Sequence, residues 1–202
     1  MVILFGNQKG GAGKSTLAML TANYLSLVKK EGVTVLDMDY QKSLHNRYID
    51  AKELENPEPY QVMDLDLDKF PAIYEVLKDE ADHKIIIDLP GKIDDDNLIP
   101  VLRAADIIMI PFHYDKMSFE STDVFASIAH ELNPGSQKVF IPNMIKSAVK
   151  YDIKTAVDEH FMQYGLIAPQ VPHKVALQRL TTCDLPVELI KIIEPIVQTV
   201  KW

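Results

Sequence analysis

The chain has 202 residues, 47% hydrophobic and 25% charged, a globular mix whose length suits one domain over residues 1–202, stable without disulfides or a structural metal. Its single cysteine, Cys183, excludes an internal disulfide, a CxxC redox pair and a multi-cysteine metal site within one chain. The formal net charge of −8 is uneven, with 13 Lys and Arg against 23 Asp and Glu in residues 1–137 and 8 against 6 in residues 138–202, so no global basic footprint demands nucleic acid.

Val2–Phe5 reads as a first strand. A helix follows from Lys14 to about Lys30, with Leu17, Leu20, Ala22, Tyr24, Leu25 and Val28 at helical spacing. Gly32 suits a helix C-cap before a second strand, Val33–Leu36. After a loop insertion at Asn56–Pro59, Tyr60–Met63 reads as a short strand and Phe70–Leu77 as a helix. Lys84–Asp88, Asp106–Pro111 and Lys138–Pro142 are apolar runs of the kind buried on both faces. Helices are expected over Ser118–Leu132, Asp152–Tyr164 and Pro186–Val200, the last bent by Pro195. Strands alternating with helices imply βαβ units. The expected class is α/β, a mostly parallel sheet flanked by helices on both faces.

No apolar run approaches the roughly 18 residues of a membrane span. The N-terminus has no basic start of the signal-peptide kind. A cytoplasmic chain without membrane contact is expected.

Between the first strand and the first helix lies GNQKGGAGKST, residues 6–16. Bare backbone beside lysines serves neither a strand nor a helix interior. It serves phosphate. The turn Gly10-Gly11-Ala12-Gly13 lets backbone amides approach phosphate oxygens. The helix N-terminus adds unpaired N–H groups and a partial positive charge. Lys14 can reach the β- and γ-phosphates, and the hydroxyl of Ser15, which Thr16 follows, can ligate Mg²⁺. The strict pattern G-x-x-x-x-G-K-[ST] fails only at its first glycine, where this chain has Gln8.

With its extra Lys9, QKGGAGKST resembles the deviant Walker A motif KGGxGK[ST] of the ParA/MinD family of partition and positioning ATPases, most of all the small ParA-type partition ATPases. TVLDMDYQKSL (34–44) resembles that family's second strand and switch I, usually ending DxDPQ, with Tyr40 in place of the proline. KIIIDLPG (84–91) resembles its Walker B strand and switch II, usually DxPP, with Gly91 in place of the second proline. ADIIMIPFHYDKMSFES (105–121) resembles the strand and helix that follow. FIPNMI (140–145) and QVPHKVALQRLTTCDLPV (170–187) resemble the adenine-side segments.

The resemblance implies a P-loop NTPase of the deviant Walker A type that takes ATP and Mg²⁺. Residues Lys9, Gly10, Gly11, Ala12, Gly13, Lys14, Ser15 and Thr16 would bind the nucleotide, with Asn143 and Pro172 on its adenine side. Lys9, Lys14 and Asp39 would be catalytic. Asp39 would orient the attacking water and touch the metal through water, Asp88 would hold a metal-bound water, and Asp37 would be structural. Lys9 would reach across a homodimer formed on ATP binding, as an arginine finger does. The implied function is slow, partner-stimulated ATP hydrolysis that segregates or positions DNA or plasmid cargo. With a strand starting at residue 2, sequence-specific DNA reading is expected to fall to a centromere-binding or other adaptor protein. Non-specific DNA is a further expected partner, and Lys146, Lys150 and Lys154, spaced by four, are its candidate stripe.

Two alternatives remain open. One is an ATP-dependent ligase like cobyrinic acid diamide synthase or dethiobiotin synthetase, built on related domains but without a usual Lys9. The other is an ATP-gated scaffold of a conjugation or secretion system. DLDLDKFPAIYE (64–75) spaces its acids like a calcium loop, but Lys69 occupies the required glycine position, so an acidic loop before a helix is expected. The apolar C-terminal helix invites a membrane-surface reading. With only Lys191 and Lys201 as basic residues, and Pro195 inside it, core packing is expected instead.

Overall fold

Strand β1 (Val2–Phe5) has no polar side chain and is buried at every position, which only the centre of a sheet covered on both faces satisfies. The computed structural model describes residues 1–80, 82–92 and 94–200; Lys201 lies outside them. The other strands are β2 (Gly32–Asp37), β3 (Gln61–Asp64), β4 (His83–Asp88), β5 (Ile107–Phe112), β6 (Gln137–Pro142) and β7 (Leu166–Ile167). They form one sheet in the order β3-β2-β4-β1-β5-β6-β7, and each pairing is parallel.

The helices are α1 (Lys14–Asn23), α2 (Ser43–Glu53), α3 (Phe70–Leu77), α4 (Leu98–Ala104), α5 (Lys116–Leu132), α6 (Lys154–Phe161), α7 (Val175–Gln178) and α8 (Val187–Gln198). The period of two along each strand divides the core into two layers. Ile3, Phe5, Val35 and Ile86 face α1 and α8 through Leu17, Leu20, Leu189 and Ile193. Val2, Leu4, Ile87 and Ile108 face α4 and α5 through Val101, Leu102, Phe125 and Ala129. Each fully buried Val, Leu, Ile or Phe among them contributes roughly 1.5–3 kcal/mol of transfer free energy.

The expected strands and helices are present, with boundaries moved by a few residues. Helix α1 does not run on as α to Lys30: Tyr24–Val28 form a π-helical turn, in which Lys29 N–H donates to the Tyr24 carbonyl at 3.1 Å. Three elements have no counterpart in the sequence reading: α2, α7 and β7; the helix start that the acidic run 94–96 suggests comes a little later, at Leu98 of α4. Helix α2 buries only Leu44, Tyr48 and Ala51. In α4, Pro100 reads as a breaker but falls in the first turn, where its missing N–H costs nothing. Helix α8 packs Leu189, Ile193, Ile196 and Val197 into the core with Pro195 inside it. Among the described residues no helix is long and apolar enough to cross a membrane.

Candidate functional site: a phosphate cradle at the ends of three strands

Parallel strands deliver their C-terminal loops to one edge of the sheet, and register sets which residues meet there. Phe5 of β1 pairs with Asp88 of β4, and Asp37 of β2 pairs with the same Asp88. The loop after β1, the 38–42 loop and the 89–91 turn therefore leave the sheet side by side. Between them lies a cavity of about 540 Å³.

One wall is the loop from Gly10 to Thr16. Gly11 (φ 77°) and Gly13 (φ 94°) take left-handed conformations that a side chain would strain. Gly13 caps α1 without a side-chain hydrogen bond, and no acidic residue lies in the first turn. Most helix starts satisfy their free N–H groups with a Ser, Thr, Asp or Asn cap. This one leaves them facing the cavity, which suits an anion. Lys14 is 6% exposed and lines the cavity with Ser15. Gly91 packs against this loop: a Cβ there would lie 3.7 Å from the Lys14 ammonium, an ordinary contact distance.

Asp88 is fully buried, and among the described residues neither carboxylate oxygen has a hydrogen-bond partner. Burial is the largest cause pushing its pKa up to about 7; Ser15 and Lys14 oppose the shift, and Asp37 and Asp39 add to it. Two orphaned carboxylate oxygens beside a serine hydroxyl are a donor set with hard-cation chemistry. Among the described residues no three His, Cys, Asp or Glu side chains converge as a metal site. A small cation here would be shared between Ser15, Asp88 and phosphate oxygens, as Mg²⁺ commonly is. The residues fit that ion.

Asp37 is equally buried but fully engaged. Its Oδ2 accepts from the N–H groups of Leu44 (3.1 Å) and His45 (2.8 Å), and its Oδ1 from Asp39 N–H (3.2 Å). Burial raises its pKa and these three bonds oppose that. Asp37 thus supplies the cap that Lys42, at the N-terminus of α2 with φ 49°, does not. Asp39 is half-buried and lines the cavity. Its Oδ1 accepts from Gln41 N–H at 3.0 Å. Tyr40, 68% exposed, stands at the mouth.

Lys9 behaves differently from Lys14. It is half-buried and lies outside the cavity lining. Its charge acts on His113, just beyond β5.

Asn143 is held by the loop itself. Its Nδ2 donates to the Ala12 carbonyl (2.8 Å) and its Oδ1 accepts from Met144 N–H (2.8 Å). A Cβ on Gly13 would lie 2.2 Å from that Nδ2. The residue expected on the adenine side is therefore first a brace for the phosphate loop. Asn143 and Pro172 do share a second, smaller cavity of about 40 Å³ with Thr16, Leu17 and Met144. Ile145 N–H donates to the Val171 carbonyl (3.0 Å) and His173 N–H to the Ile145 carbonyl (2.9 Å), which ties the two expected adenine-side segments together.

The structure therefore brings Gly10, Gly11, Gly13, Lys14, Ser15, Thr16 and Asp39 to one cavity, sets Asp88 beside Ser15 and puts Ala12 behind the loop, buried. It leaves Lys9 outside the lining. Gln41, Ser43 and Lys92 also line the cavity and carried no assigned role in the sequence reading, and Met144, of the expected adenine-side segment, lines it too. Tyr40 and Gly91, noted there as departures from a pattern, turn out to line it. The lysine stripe is weaker than its spacing suggests. Lys154 donates to Asp158 Oδ2 (2.6 Å) and Tyr114 Oη (2.8 Å), and Lys150 lies 3.5 Å from Asp152.

Comparison with curated proteins gives no sequence match. Among solved structures the chain is similar to a plasmid partition protein of Borrelia burgdorferi (19% identity, 98% of each chain covered, TM-score 0.71). It is similar to a variant McdA of Cyanothece in complex with ATP (14% identity, 100% of this chain and 97% of that chain, TM-score 0.72). It is also similar to the MinC:MinD cell division protein complex of Aquifex aeolicus (19% identity, 98% of this chain and 93% of that chain, TM-score 0.68). These likenesses establish the fold, that of a P-loop NTPase. A family model described as the CobQ/CobB/MinD/ParA nucleotide binding domain matches residues 3–187, and the chain belongs to that family.

Proposed function

We propose that this chain is a ParA-type ATPase that binds Mg-ATP in the cavity, pairs through it with a second copy, and hydrolyses ATP slowly to segregate or position DNA cargo with an adaptor protein. The observation that carries this reading is the separation of the two lysines. Lys14 is buried in its own cavity, while Lys9, on the same loop, is half-buried and outside the lining. A second cation with no place in its own cavity is suited to a nucleotide held by another copy. There it would stabilise charge developing in the transition state.

The free amides of the loop and the N-terminus of α1 bind the β- and γ-phosphates, and Lys14 neutralises them. Ser15 and Asp88 would hold the magnesium, which supplies electrostatic stabilisation of the phosphate oxygens when bound. Asp39, on the opposite wall, orients the attacking water. The base would lie against Thr16, Asn143 and Pro172 at the mouth of the small cavity, which at about 40 Å³ is too small to enclose it. Lys146, Lys150 and Lys154, the last two with Asp152 and Asp158 beside them, are the candidate contact for sequence-independent DNA.

Two substitutions test the reading. Lys14→Ala should weaken Mg-ATP binding about tenfold to a hundredfold, the loss of charge-assisted bonds of roughly 1.5–3 kcal/mol. Lys9→Ala should bind Mg-ATP normally but lose ATP-dependent association in light scattering and most turnover. Normal association of the Lys9 variant would refute the two-copy mechanism.

A further inference from the structure

Strand β1 leaves the sheet towards β5. Gly6 N–H donates to the Met109 carbonyl at 3.1 Å, and a Cβ on Gly6 would lie 2.2 Å from the ring of Phe125 in α5. The next residue, Asn7, is fully buried. Its Nδ2 donates to the Pro111 carbonyl in β5 (2.7 Å) and to Thr122 Oγ1 in α5 (2.8 Å), while its Oδ1 accepts from Lys9 N–H (3.0 Å).

This carboxamide fits in one orientation only. Flipped, it would set its NH₂ against Lys9 N–H and its oxygen against the Pro111 carbonyl. The bond from Lys9 N–H closes an Asx turn, a side-chain imitation of a backbone turn. It lies where the strict phosphate-loop pattern would begin with a glycine and this chain has Gln8. One buried side chain therefore fixes both the seat of the loop on β5 and α5 and the direction in which the backbone carries Lys9. Neither Asn7 nor Lys9 lines the cavity that Lys14 enters. The Lys9 ammonium instead acts on His113, whose pKa is lowered by burial first and by Lys9 as well, with Asp115 opposing.

We propose that Asn7 is a positioning residue for Lys9, bolting the loop to β5 and α5 so that the lysine is presented outside its own cavity, to the phosphates of a nucleotide held by a second copy of the chain. The proposal rests on the reading of Lys9 given above. It adds that the direction of Lys9 is built in before any second copy arrives.

The test is a double-mutant cycle with Asn7→Ala, Lys9→Ala and the pair. It is read by ATP-dependent association, by turnover, and by Mg-ATP affinity in calorimetry. Lys9→Ala should lower association and turnover at least about tenfold, the scale on which small misplacements act. Asn7→Ala should lower both to a similar degree, with Mg-ATP affinity held within about twofold. The pair should be no worse than Lys9→Ala alone, because residues acting through one another are non-additive. Losses that multiply, or a fall in Mg-ATP affinity as large as the fall in association, would overturn the proposal and reduce Asn7 to a support of the fold. Normal association of Lys9→Ala removes the two-copy reading and the Asn7 role together; normal association of Asn7→Ala alone removes only the latter. Where Asn7→Ala does not fold, Thr122→Val takes its place, since it removes one acceptor of the amide and leaves the loop sequence intact. Native association and turnover in Thr122→Val would then overturn the proposal.

Discussion

Replacing Asp88 by asparagine isolates the electrostatic consequence of burying a carboxylate whose oxygens have no hydrogen-bond partner among the described residues. In the unfolded chain this group ionises near its ordinary value of 3.8, whereas burial pushes it up to about 7 in the folded chain. Between those values the native state holds the extra proton. Its contribution to stability is therefore greatest at low pH, falls as pH rises from about 4, and levels off above about 7. Linkage across the interval from about pH 5.5 to 8 amounts to about 2 kcal/mol. For a chain of this size that is roughly 4–8 °C in the unfolding midpoint. Calorimetric melts of the nucleotide-free protein across that interval should show the decline. Asp88→Asn should flatten it by that amount, because the cost of burying a neutral amide does not vary with pH and cancels. Equal slopes in the two proteins would refute the assignment of the raised pKa to Asp88. Saturating Mg-ATP should also flatten the native slope, since a cation beside the carboxylate favours its charged form, and removing the metal with EDTA should restore it.

Asp39→Ala should retain Mg-ATP and accumulate the ATP-bound dimer, because the phosphate contacts lie on other residues; turnover at the native rate would show that Asp39 does not position water. Gly13→Ala should destabilise the protein by at least about 1–2 kcal/mol, the strain of a side chain in the left-handed region, and should weaken Mg-ATP binding, because the new Cβ meets the Asn143 amide that braces the loop. Denaturant melts and calorimetry on the same variant read the two effects separately.

Much of the sheet was legible because its central strands are buried on both faces and read as apolar runs, Lys84–Asp88 and Lys138–Pro142 among them. The phosphate loop was legible for the opposite reason, since its glycines and lysines have no use in a core. Helix α2 escaped because three buried positions in eleven make a faint pattern, and β7 because two residues become a strand only by pairing with β6. At the site, Lys14 and Ser15 stood out by residue type after a glycine-rich turn and Asp88 by its place at a strand end, while Asp39 was picked out through the family resemblance. The role of Asn143 as a brace did not stand out: a strand-end asparagine is visible in the sequence, but its bond to Ala12 spans 131 positions. The pairing of Lys154 with Asp158 follows ordinary i, i+4 spacing and is written in the sequence as charge pattern.

Asp37 has a consequence for how the 38–42 loop can vary. Its one carboxylate accepts from Asp39 at the start of the loop and from Leu44 and His45 at its end, so the segment is a closed ring of set circumference. A ring held in this way tolerates exchange of the side chains it displays to solvent but not an added or missing residue, which would pull Leu44 and His45 off their acceptor and leave the start of α2 uncapped. The rigidity of a proline after Asp39 becomes redundant, and an exposed tyrosine, Tyr40, can stand there instead. Variation in this loop should therefore be free in chemistry and fixed in length.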